Sequence, residues 1–211
     1  MISSKFHSMS NIYLLVLLFT LITRLVFIIY FPTGGGDWII YSTVAENILS
    51  GCGVSLSSIG SGECEPHFGG NQGPGYPVFV FLSWLIGGHE DVYIRVFQLF
   101  FYISSLLYLV RAIKIYTSSR KVALWVGIIL ALSPLGVAWP RYLQTETLVI
   151  SGTLWVFSEL LLSLHQKKFR TIPIAISLIF TTFIRLDAVL LVAPVVTTLF
   201  IIHRPVDAFK K

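Results

Sequence analysis

Charge is what this sequence has least of. Only 12% of its 211 residues are Asp, Glu, Lys or Arg, about half the roughly 25% usual in soluble domains. With 55% hydrophobic residues, that shortage excludes a water-soluble globular domain and leaves an integral membrane protein. Cysteine is scarce too: Cys52 and Cys64, in one loop, are the only two. A metal site normally brings more ligands at tighter spacing, which leaves a disulfide, if the loop is extracytoplasmic, or two free thiols. Internal repeats, low-complexity tracts and Asn-x-Ser/Thr triplets are all missing, which excludes a solenoid and an N-glycan. The net charge of +5 is no nucleic-acid signal in a chain with so few charges; where the basic residues fall matters more.

What is present is a series of long apolar runs. A hydrocarbon core of about 30 Å takes about 20 helical residues. Asn11 to Phe31, interrupted only by Arg24, meets that length, and Val92 to Tyr116, Val122 to Trp139 and Leu143 to Leu164 follow. Ile172 to Ile202 is too long for one span and is broken by Arg185-Leu186-Asp187, which predicts two helices meeting at a charged elbow, the second over Ala188 to Ile202. Pro74 to Gly88 holds an apolar run of about fifteen residues between Gly/Pro breakers, too short to span.

The positive-inside rule arbitrates that last segment. If it lies on the membrane surface, Lys5, Arg111, Lys114, Arg120, Lys121, Lys167, Lys168, Arg170, Arg204, Lys210 and Lys211 are cytoplasmic, against Arg95, Arg141 and Arg185 outside. If it spans, the bias collapses. The reading is an all-α integral membrane domain over residues 1–211 with about six transmembrane helices. The first span is 11–31, a long extracytoplasmic loop with interfacial helices covers 32–91, and five further spans fill 92–203. A cleaved signal peptide is the weaker alternative for the first run, whose apolar core is too long and has no A-x-A-like site after it.

With that direction, Asp37, Glu46, His67, Arg141, Glu146, Arg185 and Asp187 share the outer face, while the cytoplasmic face carries mainly topology-setting lysines and arginines. Ionisable groups at membrane depth are a functional signal. From Trp38, the residues Ser42, Thr43, Glu46, Asn47 and Ser50 recur at helical spacing opposite Trp38, Tyr41, Val44, Ala45, Ile48 and Leu49. This is the pattern of an amphipathic interfacial helix, ended by Gly51. Asp37 starts it and can serve as its N-cap, as a reactive acid, or as both. Arg24, deep in the first span, is expected to pair inside the bundle.

The order Asp37, Tyr41, Ala45, Ile48, Gly51, Gly53 just after the first span, then Pro74-Gly75-Tyr76-Pro77 and a short apolar helix closing on Gly87, then Thr145-Glu146-Thr147 opening a helix, resembles the membrane-embedded GT-C glycosyltransferases. The likeness is greatest to the protein mannosyltransferase and aminoarabinose transferase branch, and runs from about Ile12 to Pro194. It implies a polyprenyl-phosphate-linked sugar donor, a lipid bilayer, an acceptor of unspecified kind and no nucleic acid. It also implies catalysis on the extracytoplasmic side of a bacterial inner or plasma membrane. By the match Asp37 is the catalytic acid, and Glu146 the second acid, a supporting carboxylate or ligand of a divalent metal ion. Tyr41, His67, Tyr76, Arg141 and Arg185 are the substrate-binding candidates, the arginines because their forked donors fit phosphate oxygens.

The same residues carry plainer readings. Arg141 can snorkel to the headgroups, Arg185 can pair with Asp187, His67 can be an ordinary loop histidine, and the Pro74–Pro77 turn can simply dock the short helix. Two departures from the family stand out. Trp38 follows Asp37 where relatives often have a second acid, and relatives are longer, so the chain is expected to match the N-terminal portion of the family module. A non-catalytic polyprenyl-phosphate-binding or scaffold protein is the alternative function. A small transporter is disfavoured, because the charges are expected at one surface and no pair of broken helices recurs in two halves.

Overall fold

A computed structural model of the protein describes residues 3–30, 36–56, 64 and 73–203. Among these the structure is helical: α1 (Ser3–Tyr30), α2 (Trp38–Leu49), α3 (Gly75–Gly87), α4 (Asp91–Thr117), α5 (Arg120–Leu132), α6 (Pro134–Ala138), α7 (Glu146–Gln166), α8 (Thr171–Ile184) and α9 (Val192–His203), with 3-10 turns at Trp139–Arg141 and Leu186–Leu191. Among the described residues four stretches are long and apolar enough to cross a membrane: Ile12–Tyr30, Asp91–Thr117, Glu146–Gln166 and Leu186–His203.

That is fewer than the six expected, and the reasons are local. The run from Val122 to Trp139 breaks at Ser133, whose ψ of 126° is extended. Pro134 follows it, and a residue before proline is pushed out of the helical region. α5 is thus 13 residues long, a rise of about 20 Å, short of the hydrocarbon thickness. α8 stops after 14 residues at Ile184 because Arg185 is extended (φ −153°, ψ 121°). The expected elbow is there, but it continues as a 3-10 turn, and an α-helix resumes only at Val192. α7 begins at Glu146, not Leu143.

α7 is the central element, packed between α4 and α8. A Cβ on Gly152 would stand 2.1 Å from the Thr181 Oγ1, so α7 and α8 approach as closely as small residues allow. The first span is tied in by Arg24, which is fully buried. Its Nη1 donates to the Ala131 carbonyl (2.7 Å) and to Thr23 Oγ1 (3.0 Å), and its guanidinium lies 4.1 Å from the centre of the Tyr102 ring. The expected pairing inside the bundle is therefore to the C-terminal carbonyls of α5, where the helix dipole favours a cation.

A second core cluster holds Tyr41, Tyr76, Val80, Trp84, Ile94, Leu148 and Ile184. It joins α2 and α3 to one end of α4, α7 and α8. The Gly73-Pro74-Gly75 turn makes that junction possible: a Cβ on Gly75 would meet the Phe183 carbonyl oxygen at 2.5 Å, and one on Gly73 would meet it at 2.4 Å. Two glycines thus press the loop's backbone against the last turn of α8, directly before Arg185. The turn docks the short helix against α8.

Candidate functional site

α2 follows the pattern read from its sequence, from Trp38 to Leu49 with Gly51 at φ +87° beyond it. One residue departs. Asn47 is buried, and its Nδ2 donates to the Ser55 carbonyl at 2.8 Å. It pins the following loop instead of joining a solvated face. Cys52 in that loop is disulfide-bonded to Cys64, so the thiols are not free.

Asp37 occupies the N-cap position of α2, yet its side chain caps nothing; only its carbonyl is used, accepting from the Tyr41 N–H at 3.2 Å. The capping role therefore does not explain the residue. One turn on, Tyr41 is 3% exposed, and its ring sits edge-on to Tyr76 at 4.7 Å between centroids. Tyr76 is fully buried. Its hydroxyl accepts from Gln98 Nε2 at 2.9 Å, and the same nitrogen donates to the Gln144 carbonyl at 3.0 Å. Gln98 on α4 thus holds the α3 tyrosine against the turn that leads into α7. Sequence reading missed it; a lone glutamine in an apolar span is the signal it offers.

Glu146 stands in the first turn of α7, where a carboxylate suits the helix dipole. Its Oε1 accepts from Arg185 Nη1 at 3.3 Å, while its Oε2 is buried without a hydrogen-bond partner. Arg185 also donates from Nε to Asp187 Oδ2 at 3.0 Å. The plain pairing of Arg185 with Asp187 is therefore real, and Glu146 joins it. Tyr41 reports what these groups do to each other. Burial, then the carboxylates of Asp37 and Glu146, push its phenol up to about 12, partly offset by a hydrogen bond with the Thr145 side chain and by Arg185. Asp37, Tyr41, Glu146 and Arg185 therefore lie within one electrostatic neighbourhood, although they come from three separate parts of the chain.

Other expected members lie elsewhere. Arg141 does not touch these acids: its guanidinium covers the Tyr142 ring at 4.5 Å and donates to the Tyr142 hydroxyl, and its carbonyl accepts from Arg95 Nε at 3.3 Å. Glu46 pairs with His89 at 3.8 Å, and the His89 ring stacks on Trp84 with centroids 3.9 Å apart. His67 falls outside the described residues.

Among the described residues no three His, Cys, Asp or Glu side chains gather to hold a metal ion. Glu146 and Asp187 do not fit one, since the Arg185 guanidinium fills the place between them that a cation would take.

The charges are not confined to one surface. Glu159, within α7, is 5% exposed and meets Tyr108 and Arg170. The expectation that the charges lie at one surface therefore does not hold for Glu159. A single acid inside an apolar helix was the available signal. No family model, curated protein or solved structure matches the chain.

Proposed function

We propose that this chain is a membrane glycosyltransferase of the GT-C kind, or the N-terminal portion of one. It moves a sugar from a polyprenyl-phosphate donor to an acceptor hydroxyl on the extracytoplasmic side. The observation that carries the reading is the Asp37 carboxylate, free of any capping bond and beside Tyr41 and the Glu146–Arg185 pair.

Topology supports the reading. The short α8 and the broken α5–α6 stretch add two crossings to the four long ones, giving six. Basic residues then crowd the cytoplasmic side, and the disulfide-bonded loop lies in an oxidising compartment.

In the proposed reaction Asp37 accepts the acceptor's hydroxyl proton as that oxygen attacks the anomeric carbon. The bond from that carbon to the phosphate oxygen breaks, the sugar's configuration inverts, and the polyprenyl phosphate leaves with the bonding pair. The carbon passes through an oxocarbenium-like state that nearby carboxylates favour. Arg185, aimed by Glu146 and Asp187, supplies its remaining donors to the departing phosphate. Tyr41 and Tyr76 form the apolar floor under the site.

Turnover of polyprenyl-phosphate sugar by the purified chain tests this. Asp37→Asn is expected to lower transfer by about 10²- to 10⁴-fold, the usual contribution of a general base, while leaving lipid binding intact. Transfer by the Asn variant at the parent rate sinks the assignment. Lipid binding by a parent chain that transfers nothing points to the non-catalytic alternative.

A further inference from the structure

The second carboxylate on α7 has no part in the proposed transfer. Glu159 Oε1 accepts from the Tyr108 hydroxyl at 2.5 Å. Its Oε2 lies 3.1 Å from Arg170 Nη1, yet that oxygen is buried and no donor is aligned with it. The contact is thus an ion pair without a well-directed hydrogen bond, and a lone pair is left over. A carboxylate inside an apolar span is costly to keep. Hydrophobic residues of the same volume would be the cheaper way to fill the space.

Beside Glu159, between α4, α7 and α8, lies a cavity of about 400 Å³, within the size range of ligand sites. Trp155, Phe180 and Pro173 wall it, and Ile176 on its rim is 63% exposed, so it opens sideways where acyl chains would lie. Phe101 packs behind two of these walls, stacking on Phe180 at 5.6 Å and meeting Trp155 at 5.7 Å. The mouth is also organised. α7 ends at Lys167 in the left-handed conformation (φ 50°), and the Ser163 hydroxyl accepts from the Arg170 N–H at 3.2 Å. This turn folds Arg170 back over Glu159 and leaves Lys167 and Lys168 exposed beside it.

A site with a carboxylate oxygen that no aligned donor serves, an arginine with donors to spare and an apolar slot suits a zwitterion with a tail. We propose that this cavity binds a membrane phospholipid with a primary-ammonium headgroup, a phosphoethanolamine lipid. Its ammonium donates to Glu159 Oε2, its phosphodiester accepts from Arg170, and one acyl chain enters between Trp155 and Phe180. Charge complementarity selects this occupant: the headgroup's two charges meet the two members of an existing ion pair, so no net charge is buried. A trimethylated ammonium has no N–H to offer Glu159, and a headgroup without an amine leaves that carboxylate oxygen with its Arg170 contact alone.

The test needs no knowledge of the chain's reaction. The full chain is purified in detergent and exposed to equimolar dioleoyl phosphatidylethanolamine, phosphatidylcholine and phosphatidylglycerol, and retained lipid is counted by native mass spectrometry. The ethanolamine lipid is expected to be held about tenfold over either competitor, the worth of one charge-assisted hydrogen bond. Glu159→Gln should level it with phosphatidylcholine. In bilayers, ethanolamine lipid with brominated chains should quench the fluorescence of a chain that keeps Trp155 as its only tryptophan more strongly than brominated phosphatidylcholine does. Equal retention of the three lipids, preference for phosphatidylglycerol, or an ethanolamine preference untouched by Glu159→Gln overturns the proposal. The parent chain's ranking and the Trp155 quenching decide it even if the Gln variant does not fold.

Discussion

The two ends of α7 carry the same three side-chain types in different proportions. At Glu146, one guanidinium serves two carboxylates, Glu146 and Asp187, with Asp37 nearby and a buried tyrosine feeling its charge. At Glu159, about 20 Å along the helix by its rise, one guanidinium meets one carboxylate, and a tyrosine hydroxyl completes the set. The first end has acid in excess and leaves one carboxylate unengaged; the second is balanced. An excess of unpaired carboxylate suits a proton acceptor and a cation-like transition state. A balanced, buried pair suits holding a dipolar group in place. What separates a proposed reaction site from a proposed anchoring site here is stoichiometry and burial.

The comparison can be broken by removing the matching charge at each end. Glu159→Gln is expected to cost about 3 kcal/mol, the low end for breaking a buried pair, because the carboxylate is 6% exposed and Arg170, 28% exposed, loses its counter-ion; thermal unfolding in detergent measures it. Tyr41 gives the next effect. Its phenol is raised from 10.0 to about 12 in the fold. The neutral phenol therefore stabilises the protein in full below pH 10, and that contribution fades as the pH climbs through 12. Over that window about 2.5 kcal/mol should be lost, and Tyr41→Phe should flatten the decline. Glu146→Gln is expected to cost about 1 kcal/mol or less, since Arg185 is partly solvated and keeps Asp187. Equal costs for the two glutamine variants would erase the distinction between the ends.

Much of the Glu146 end was legible in the sequence because it is built from local patterns. Gly51 after a helical alternation marks the end of α2, Gly-Pro and Gly-Gly bracket α3, and Arg185-Leu186-Asp187 breaks an overlong apolar run. Hydropathy alone could not show that Ser133-Pro134 would divide one run into two helices, neither of which reaches across by itself, since leucines and isoleucines continue on both sides. Asn47 illustrates another limit: helical spacing put it on the polar face, but its amide is spent inside on the Ser55 carbonyl. Glu159 was hidden by its neighbours, Leu160, Leu161 and Leu162, which keep the segment apolar around it. Arg141, expected on the same face as Asp37 and Glu146, stacks instead on the tyrosine next to it.

The account stands most directly on sidedness, because the proposed donor phosphate and the acid-rich end must face the same compartment. Cells expressing the full chain can be treated with a membrane-impermeant reductant and then an impermeant maleimide. The account predicts that Cys52 and Cys64 are labelled in intact cells after reduction and not before it. Labelling that appears only after lysis would put this end of the molecule in the cytosol and contradict the account.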